Sequence, residues 1–225
     1  MMQEPQNPGR RHLLAAVVLA DADSFFQRLR QAKPDSYREW FEAVRVDDVR
    51  RVQALLARGF DPNAVEPERF DTALILSVRL KSSKVFSALL QAPDVNLNAR
   101  SLNGDTALMI AAYLPDIPRA LALIAKGVEI NRPGWTALHY AASSGSIPII
   151  QRLLDESAFI DAESPNKTTP LMMAARSGHT AVVKLLLDEG ADPTLKNEAD
   201  MVAADFARAQ GFKDLARFLD DKAQP

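Results

Sequence analysis

A chain of 225 residues, 47% hydrophobic and 25% charged, has an ordinary folded composition and the length for one large domain or an extended array. Its 27 lysines and arginines against 29 aspartates and glutamates leave a net charge of −2, so no bulk positive field draws in nucleic acid. Cysteine is absent, which removes disulfides, thiolate metal sites and cysteine nucleophiles together.

At the start of the chain Arg10 and Arg11 precede the apolar octet Leu13–Ala20, and small residues stand at Ala20 and Ala22. A basic flank, a short apolar core and an A-x-A site follow one another as in a secretory signal. Residues 1–22 are therefore expected to be removed and the protein to be exported, periplasmic or secreted, with residues 23–35 as a lead segment. The alternative is a cytoplasmic protein whose octet forms a leading helix packed on the first structural unit. Eight apolar residues are too few to cross a bilayer as a helix, so no membrane insertion is expected.

From residue 36 the chain repeats itself. Copies of the stretch TALHYAASSG are anchored on Thr72, Thr106, Thr136 and Thr169, in steps of 34, 30 and 33 residues. Similar steps outwards reach Arg38 and Val202, where the pattern persists in weaker form. Six units are predicted, near 36–69, 70–103, 104–133, 134–166, 167–199 and 200–225. Five residues past the anchors stand Ala43, Ser77, Ala111, Ala141, Ala174 and Ala207, the restriction expected where two helices approach closely. Aliphatic pairs follow on one helical face: Leu55-Leu56, Leu89-Leu90, Leu123-Ile124, Leu153-Leu154 and Leu186-Leu187. Gly59, Gly127 and Gly190 come just after three of these helices, where a left-handed cap favours glycine. In the first unit Ser36 and Glu39 form a capping box, which predicts a helix opening just after Pro34. The last unit mixes Phe206, Phe212, Leu215 and Phe218 with charged residues and reads as an amphipathic closing cap.

The period, the small position and the stretches TALH, TTPLMMAARSGH and LLLDEGADP resemble the ankyrin repeat over about residues 36–225. The resemblance implies an all-α solenoid in which each unit is a pair of antiparallel helices joined to the next by a hairpin-like loop. It also implies that Thr136, Thr169 and His139 tie loops together and that Gly190 caps a helix. Five positions depart from the pattern. Phe70 and Lys167 replace the glycine two before the anchor, Pro93 and Ser157 the cap glycine, and Pro115 the mid-unit glycine. These leave local loop shape open.

No cluster of catalytic, metal-binding or cofactor-binding residues stands out. At the position of His139 the other units carry Phe41, Ile75, Met109, Met172 and Asp205, and nothing within a unit supplies both a nucleophile and a group to orient a base. Ser143 and Ser144 are placed on the turn between helices, and His179 at the start of a second helix. No H-x-x-x-H or H-E-x-x-H spacing occurs, and the nine glycines are scattered rather than gathered into a phosphate loop. Neither an enzyme, a cofactor, a metal nor a small-molecule substrate is expected.

Function then has to lie in what the surface displays. The resemblance implies partner contacts at loop residues beside each anchor and at the exposed end of each first helix. Those positions include Arg69, Asp71, Arg79, Asp105, Tyr113, Leu114, Arg132, Trp135, Asn166, Thr168 and Arg176. Trp135, with Arg132, Tyr113 and Leu114, is the candidate hot spot, because aromatic residues and arginine dominate interface energetics. The alternative is that Trp135 folds over Pro133 and fills space in a loop about three residues shorter than its neighbours. The mixed charge of Arg69, Asp71, Arg79, Asp105 and Arg176 favours a polar protein partner over a membrane, the alternative being a solvated face. The expected function is a monomeric scaffold or adaptor that binds a protein through its concave face. The rival is an intracellular targeting module or one delivered to a host.

Overall fold

The computed structural model describes residues 34–224, so the signal-like segment and all but the end of the lead segment lie outside the described residues. Twelve helices are described: α1 (Pro34–Arg45), α2 (Val49–Ala57), α3 (Ala73–Arg79), α4 (Ser83–Leu89), α5 (Ala107–Tyr113), α6 (Ile117–Ala125), α7 (Ala137–Ser144), α8 (Ile147–Asp155), α9 (Pro170–Arg176), α10 (Thr180–Asp188), α11 (Ala203–Ala209) and α12 (Lys213–Lys222). They pair in chain order. The odd-numbered helices stack side by side as an inner layer, and the even-numbered ones lie behind them. Apart from an isolated bridge between Val65 and Thr72, the described residues contain no extended pairing, and no helix among them is long and apolar enough to cross a membrane.

Each anchor threonine starts an inner helix. Thr72, Thr106 and Thr169 hold extended backbone, and their hydroxyls accept the amides of Ile75, Met109 and Met172 at 3.3–3.4 Å, satisfying a donor that the first turn leaves over. The sulfurs of Met109 and Met172 accept in return from the threonine N–H, both at 3.4 Å. Val202 has no hydroxyl, yet half of this exchange survives, because the Asp205 carboxylate accepts the Val202 N–H at 3.1 Å. The first unit differs from expectation. Its helix begins at Pro34 and carries Ser36 inside the first turn, since proline's fixed φ suits a helix start and Asp35 favours its positive end.

The small position is explained by packing. Ala43, Ser77, Ala111, Ala141, Ala174 and Ala207 are all fully buried, and Ser77 is tolerated because its hydroxyl donates to Leu74 O at 2.7 Å. An inner helix has neighbours on both flanks and an outer helix behind, so α3 buries every residue from Ala73 to Val78 and α5 every residue from Ala107 to Ala112. Only the end of each is left for the concave surface. In the aliphatic pairs of the outer helices the first member is buried, and the second is half-buried except at Ile124.

Loops fold back through backbone bonds between Glu66 and Asp71, Ser101 and Asp105, Ser164 and Thr168, and Asn197 and Met201. Neighbouring loops are laced by side chains. Asn63 accepts the Asn96 N–H at 2.7 Å, Asn98 that of Glu129 at 2.9 Å, and Asn131 that of Phe159 at 2.7 Å. Asp161 then accepts from Asp192 N at 3.2 Å. The left-handed turns survive the loss of glycine, with φ of 55° at Phe70, 61° at Ser157 and 59° at Lys167. After Pro93, whose ring fixes φ, Asp94 takes the left-handed conformation at 61°. Ser143 and Ser144 close α7 rather than form a turn, because the helix runs on until Gly145 turns it off at φ 78°. At the far end Phe218 is half-buried beneath the ammonium groups of Lys184 and Lys222, as suits a closing face.

Candidate functional site

Where the ends of α3, α5 and α7 meet the loops before them, charged and aromatic side chains gather over one hollow. Asp71, just before the cap of α3, is fully buried and accepts from Arg79 Nε at 2.7 Å. Burial pushes its carboxyl above the usual carboxylate range, while the Arg79 guanidinium pulls the other way. Arg79, the last residue of α3, also reaches the Asp105 carboxylate at 3.6 Å. Asp105 in turn accepts from the Tyr140 hydroxyl of α7 at 2.8 Å. Burial and then this carboxylate push the Tyr140 hydroxyl well above its ordinary pKa, so it stays protonated and donating. Four polar side chains from three units are thereby locked in one order: Asp71, Arg79, Asp105 and Tyr140.

The apolar part of the hollow comes from α5. Ile110 lies at its floor, and the Tyr113 ring meets Tyr140 edge-on with centroids 6.1 Å apart. With Arg69 and Leu114 these residues enclose about 320 Å³. That lies at the bottom of the range for small-molecule pockets, roughly 300–1,000 Å³. It suits one or two side chains of a partner. Tyr113 is 58% exposed, a large aromatic held in place by its neighbours rather than hidden by them.

Five of the residues anticipated from sequence, Arg69, Arg79, Asp105, Tyr113 and Leu114, therefore line one groove. Trp135 borders it. Its ring is half-buried against His139 at 5.2 Å and Tyr140 at 6.3 Å, so it backs the groove wall more than it projects. Arg132 is half-buried and donates to Gly104 O at 3.5 Å, filling the place left by the short fourth loop. Asn166 and Arg176 are exposed but outside the groove; Asn166 accepts from Ser164 Oγ at 2.6 Å within its own loop. Asp71 and Thr168, placed on the display surface by their position in the repeat, are buried instead. Each lies one residue before a cap threonine and is bonded to a residue near it in sequence, Asp71 to Arg79 and Thr168 N to Ser164 Oγ, whereas Asp105 at the same place lines the groove. Tyr140 and Ile110 are the lining residues that the repeat pattern did not single out. Tyr140 carried a signal, since the equivalent positions hold Leu76, Ile110, Met173 and Phe206, and only the atypical first unit, with Glu42, is also polar there.

His139 is 0% exposed. Its Nδ1 accepts the Thr136 N–H at 3.2 Å and lies 2.9 Å from the Thr136 hydroxyl, while Nε2 donates to Thr168 O of the next unit at 2.8 Å. Both ring nitrogens are committed, and burial lowers the pKa from 6.5 to about 4. The ring is neutral near pH 7 and has no face open to a substrate. His179 sits at the N-cap of α10, with Nε2 donating to Ser143 O at 3.0 Å. Ser144 donates to Ala112 O at 2.7 Å. These side chains join units.

A family model described as ankyrin repeats in three copies matches residues 40–133 and 116–197. Among curated proteins, 128 residues, 55% of the chain, are 38% identical to the nuclear factor NF-kappa-B p105 subunit of Mus musculus and cover 12% of that protein. A stretch of 181 residues, 79% of the chain, is 34% identical to neurogenic locus notch homolog protein 1 of Xenopus laevis, covering 7% of it. A third, of 173 residues and 74% of the chain, is 28% identical to the B-cell lymphoma 3 protein homolog of Mus musculus, covering 38%. In each case the match spans well under two thirds of the relative's own length.

Proposed function

The chain belongs to the ankyrin-repeat family, and from that premise we propose that it is a non-enzymatic scaffold that holds a protein partner in the groove over α3, α5 and α7. The observation that carries this reading is the convergence of Arg79, Asp105, Tyr113, Leu114 and Tyr140 from three units on one hollow. Binding is economical there because little has to be ordered. The Asp71–Arg79–Asp105–Tyr140 chain already fixes the polar wall, and Tyr113 and Tyr140 fix each other, so association forfeits little side-chain freedom. Removing Asp71 would release Arg79 and leave Asp105 to hold it at longer range; Asp71 acts on the partner through Arg79. A single chain presents the whole surface.

The test is affinity for a partner recovered with the full chain from its native source. Tyr113→Ala is expected to weaken it by about 2 kcal/mol, and Leu114→Ala by about 1 kcal/mol, with helical circular dichroism unchanged. Undiminished affinity in both variants would rule out this groove. Export is the second part of the proposal. It is supported by the order of Arg10-Arg11, Leu13–Ala20 and Ala20-Asp21-Ala22, and is tested by the N-terminal residue of the native protein. A chain starting at Asp23 outside the cytoplasm is the expected result. An intact Met1 in the cytosol would favour an intracellular targeting module.

A further inference from the structure

The groove has two chemically distinct ends, and their unmatched groups differ. At the apolar end Tyr113 and Leu114 flank Ile110, and Leu80 at the end of the neighbouring α3 is 47% exposed. At the polar end both carboxylates are already engaged: Asp71 accepts from Arg79, and Asp105 accepts from Tyr140 and faces Arg79. Glu66, the nearby acid of the loop, is paired with Arg45 at 2.7 Å. The arginines are less completely matched. Arg69 is exposed, and among the described residues its guanidinium makes no hydrogen bond or ion pair. Beyond Asp105, Arg132 feels the repulsion of Arg100 as well as the pull of Glu129 and Asp105. The chain as a whole is slightly acidic, at −2, yet the charged side chains that line the groove are two arginines, Arg69 and Arg79, and one acid, Asp105.

We infer that the groove recognises an extended, acidic stretch of its protein partner. One aspartate or glutamate sets its carboxylate on Arg69, and a large apolar side chain two residues along rests on Ile110 between Tyr113 and Leu114. An extended chain advances about 3.3 Å per residue and turns alternate side chains to the same face, so an acid and an apolar residue at i and i+2 reach both ends together. A carboxylate on Arg69 forms a charge-assisted hydrogen bond with a guanidinium that Glu66 and Asp71 attract without hydrogen-bonding it. A lysine or arginine in the same place meets Arg69 and Arg79 across the lining, where the one lining acid, Asp105, is already engaged by Tyr140 and Arg79. This rests on the groove being the partner-binding surface, and the experiment separates the two statements.

A phage-displayed random peptide library is selected on the full chain, and synthetic peptides from the enriched sequences are titrated by fluorescence anisotropy. The proteins compared are the unaltered chain, Tyr113→Ala and Arg69→Glu. Arg69 is suited to substitution because the fold uses its backbone carbonyl, which accepts from Leu102 N at 2.7 Å, rather than its side chain. The expected result is enrichment of aspartate or glutamate two positions from leucine, isoleucine or phenylalanine. Affinity should fall roughly tenfold or more in each variant, and a peptide with lysine in place of its acid should regain affinity for Arg69→Glu. Peptides that depend on Tyr113 but lack the acid, or are indifferent to Arg69→Glu, overturn the charge assignment and leave the groove standing. Peptides indifferent to Tyr113→Ala contradict the groove itself. Failure to enrich any sequence overturns an extended stretch as the occupant.

Discussion

His139→Met separates the two duties of that histidine, and pH separates the variant from the parent. Methionine already occupies the equivalent position at Met109 and Met172, where its sulfur accepts the cap threonine's N–H at 3.4 Å. The substitution therefore keeps an acceptor for Thr136 N but removes the donor to Thr168 O, which retains only its bond from Ser164 N at 3.0 Å. At pH 7 this should cost about 0.5–1.5 kcal/mol. The parent carries a penalty that the variant lacks. Its imidazole titrates at about 4 when folded against 6.5 ordinarily, because burial disfavours the cation. Since the unfolded chain takes up the proton first, the stability tied to the neutral ring is complete above pH 6.5 and is lost as pH falls towards 4, about 3 kcal/mol in all. The raised carboxyls of Glu66, Asp71 and Asp161 work in the opposite sense, gaining stability on acidification, but they do so equally in both proteins. Urea denaturation between pH 7.5 and 4 should show the parent more stable at neutrality, the two curves meeting between about pH 5 and 6, and the variant ahead below it. A difference between parent and variant that does not change with pH would refute the buried, neutral, donating imidazole.

Two glycines with similar backbones should respond unequally to alanine. At Gly178, φ 72°, an added Cβ would lie 2.5 Å from the Phe212 ring, whereas at Gly190, φ 96°, nothing stands within 4 Å. Gly190→Ala should cost about 1–2 kcal/mol of backbone strain, and Gly178→Ala more than that, with part recovered in Gly178→Ala/Phe212→Ala. Equal losses in urea melts would contradict this packing. At Ser157 and Lys167 glycine should do the reverse, raising the denaturation midpoint and the unfolding free energy, the latter by up to about 1 kcal/mol, because both hold φ near 60° with exposed side chains. A lower midpoint in either variant would mean that the side chain supports its turn.

The repeat made the scaffold readable because each unit served as a control for the others. The anchor threonines, the small residue five positions on and the aliphatic pairs recur for reasons of capping and close packing, and the structure uses them in those ways. Departures from the repeat were harder to interpret. A lost glycine left the turn undecided, since whether Phe70 or Lys167 holds a left-handed conformation depends on what the rest of the loop demands of it. The groove was half legible. Arg79, Asp105, Tyr113 and Leu114 could be placed by position in the unit, but Asp71 had the same positional claim as Asp105 and is buried, held by the Arg79 guanidinium of its own unit. Tyr140 lay at a core-like position and escaped notice, although its hydroxyl completes the polar wall. Trp135 could not be assigned from sequence because both alternatives suited a short loop; its contact with His139 and Tyr140 is a tertiary fact.

Site-specific photo-crosslinking tests the groove most directly. A photoreactive phenylalanine analogue is placed at Tyr113, on the concave side, and separately at Leu121, which is 37% exposed on the outer helix α6. Irradiation of each protein with its co-purified partner should give a covalent adduct from position 113 and none from position 121. An adduct from 121 alone would place the partner on the outer layer and contradict the account.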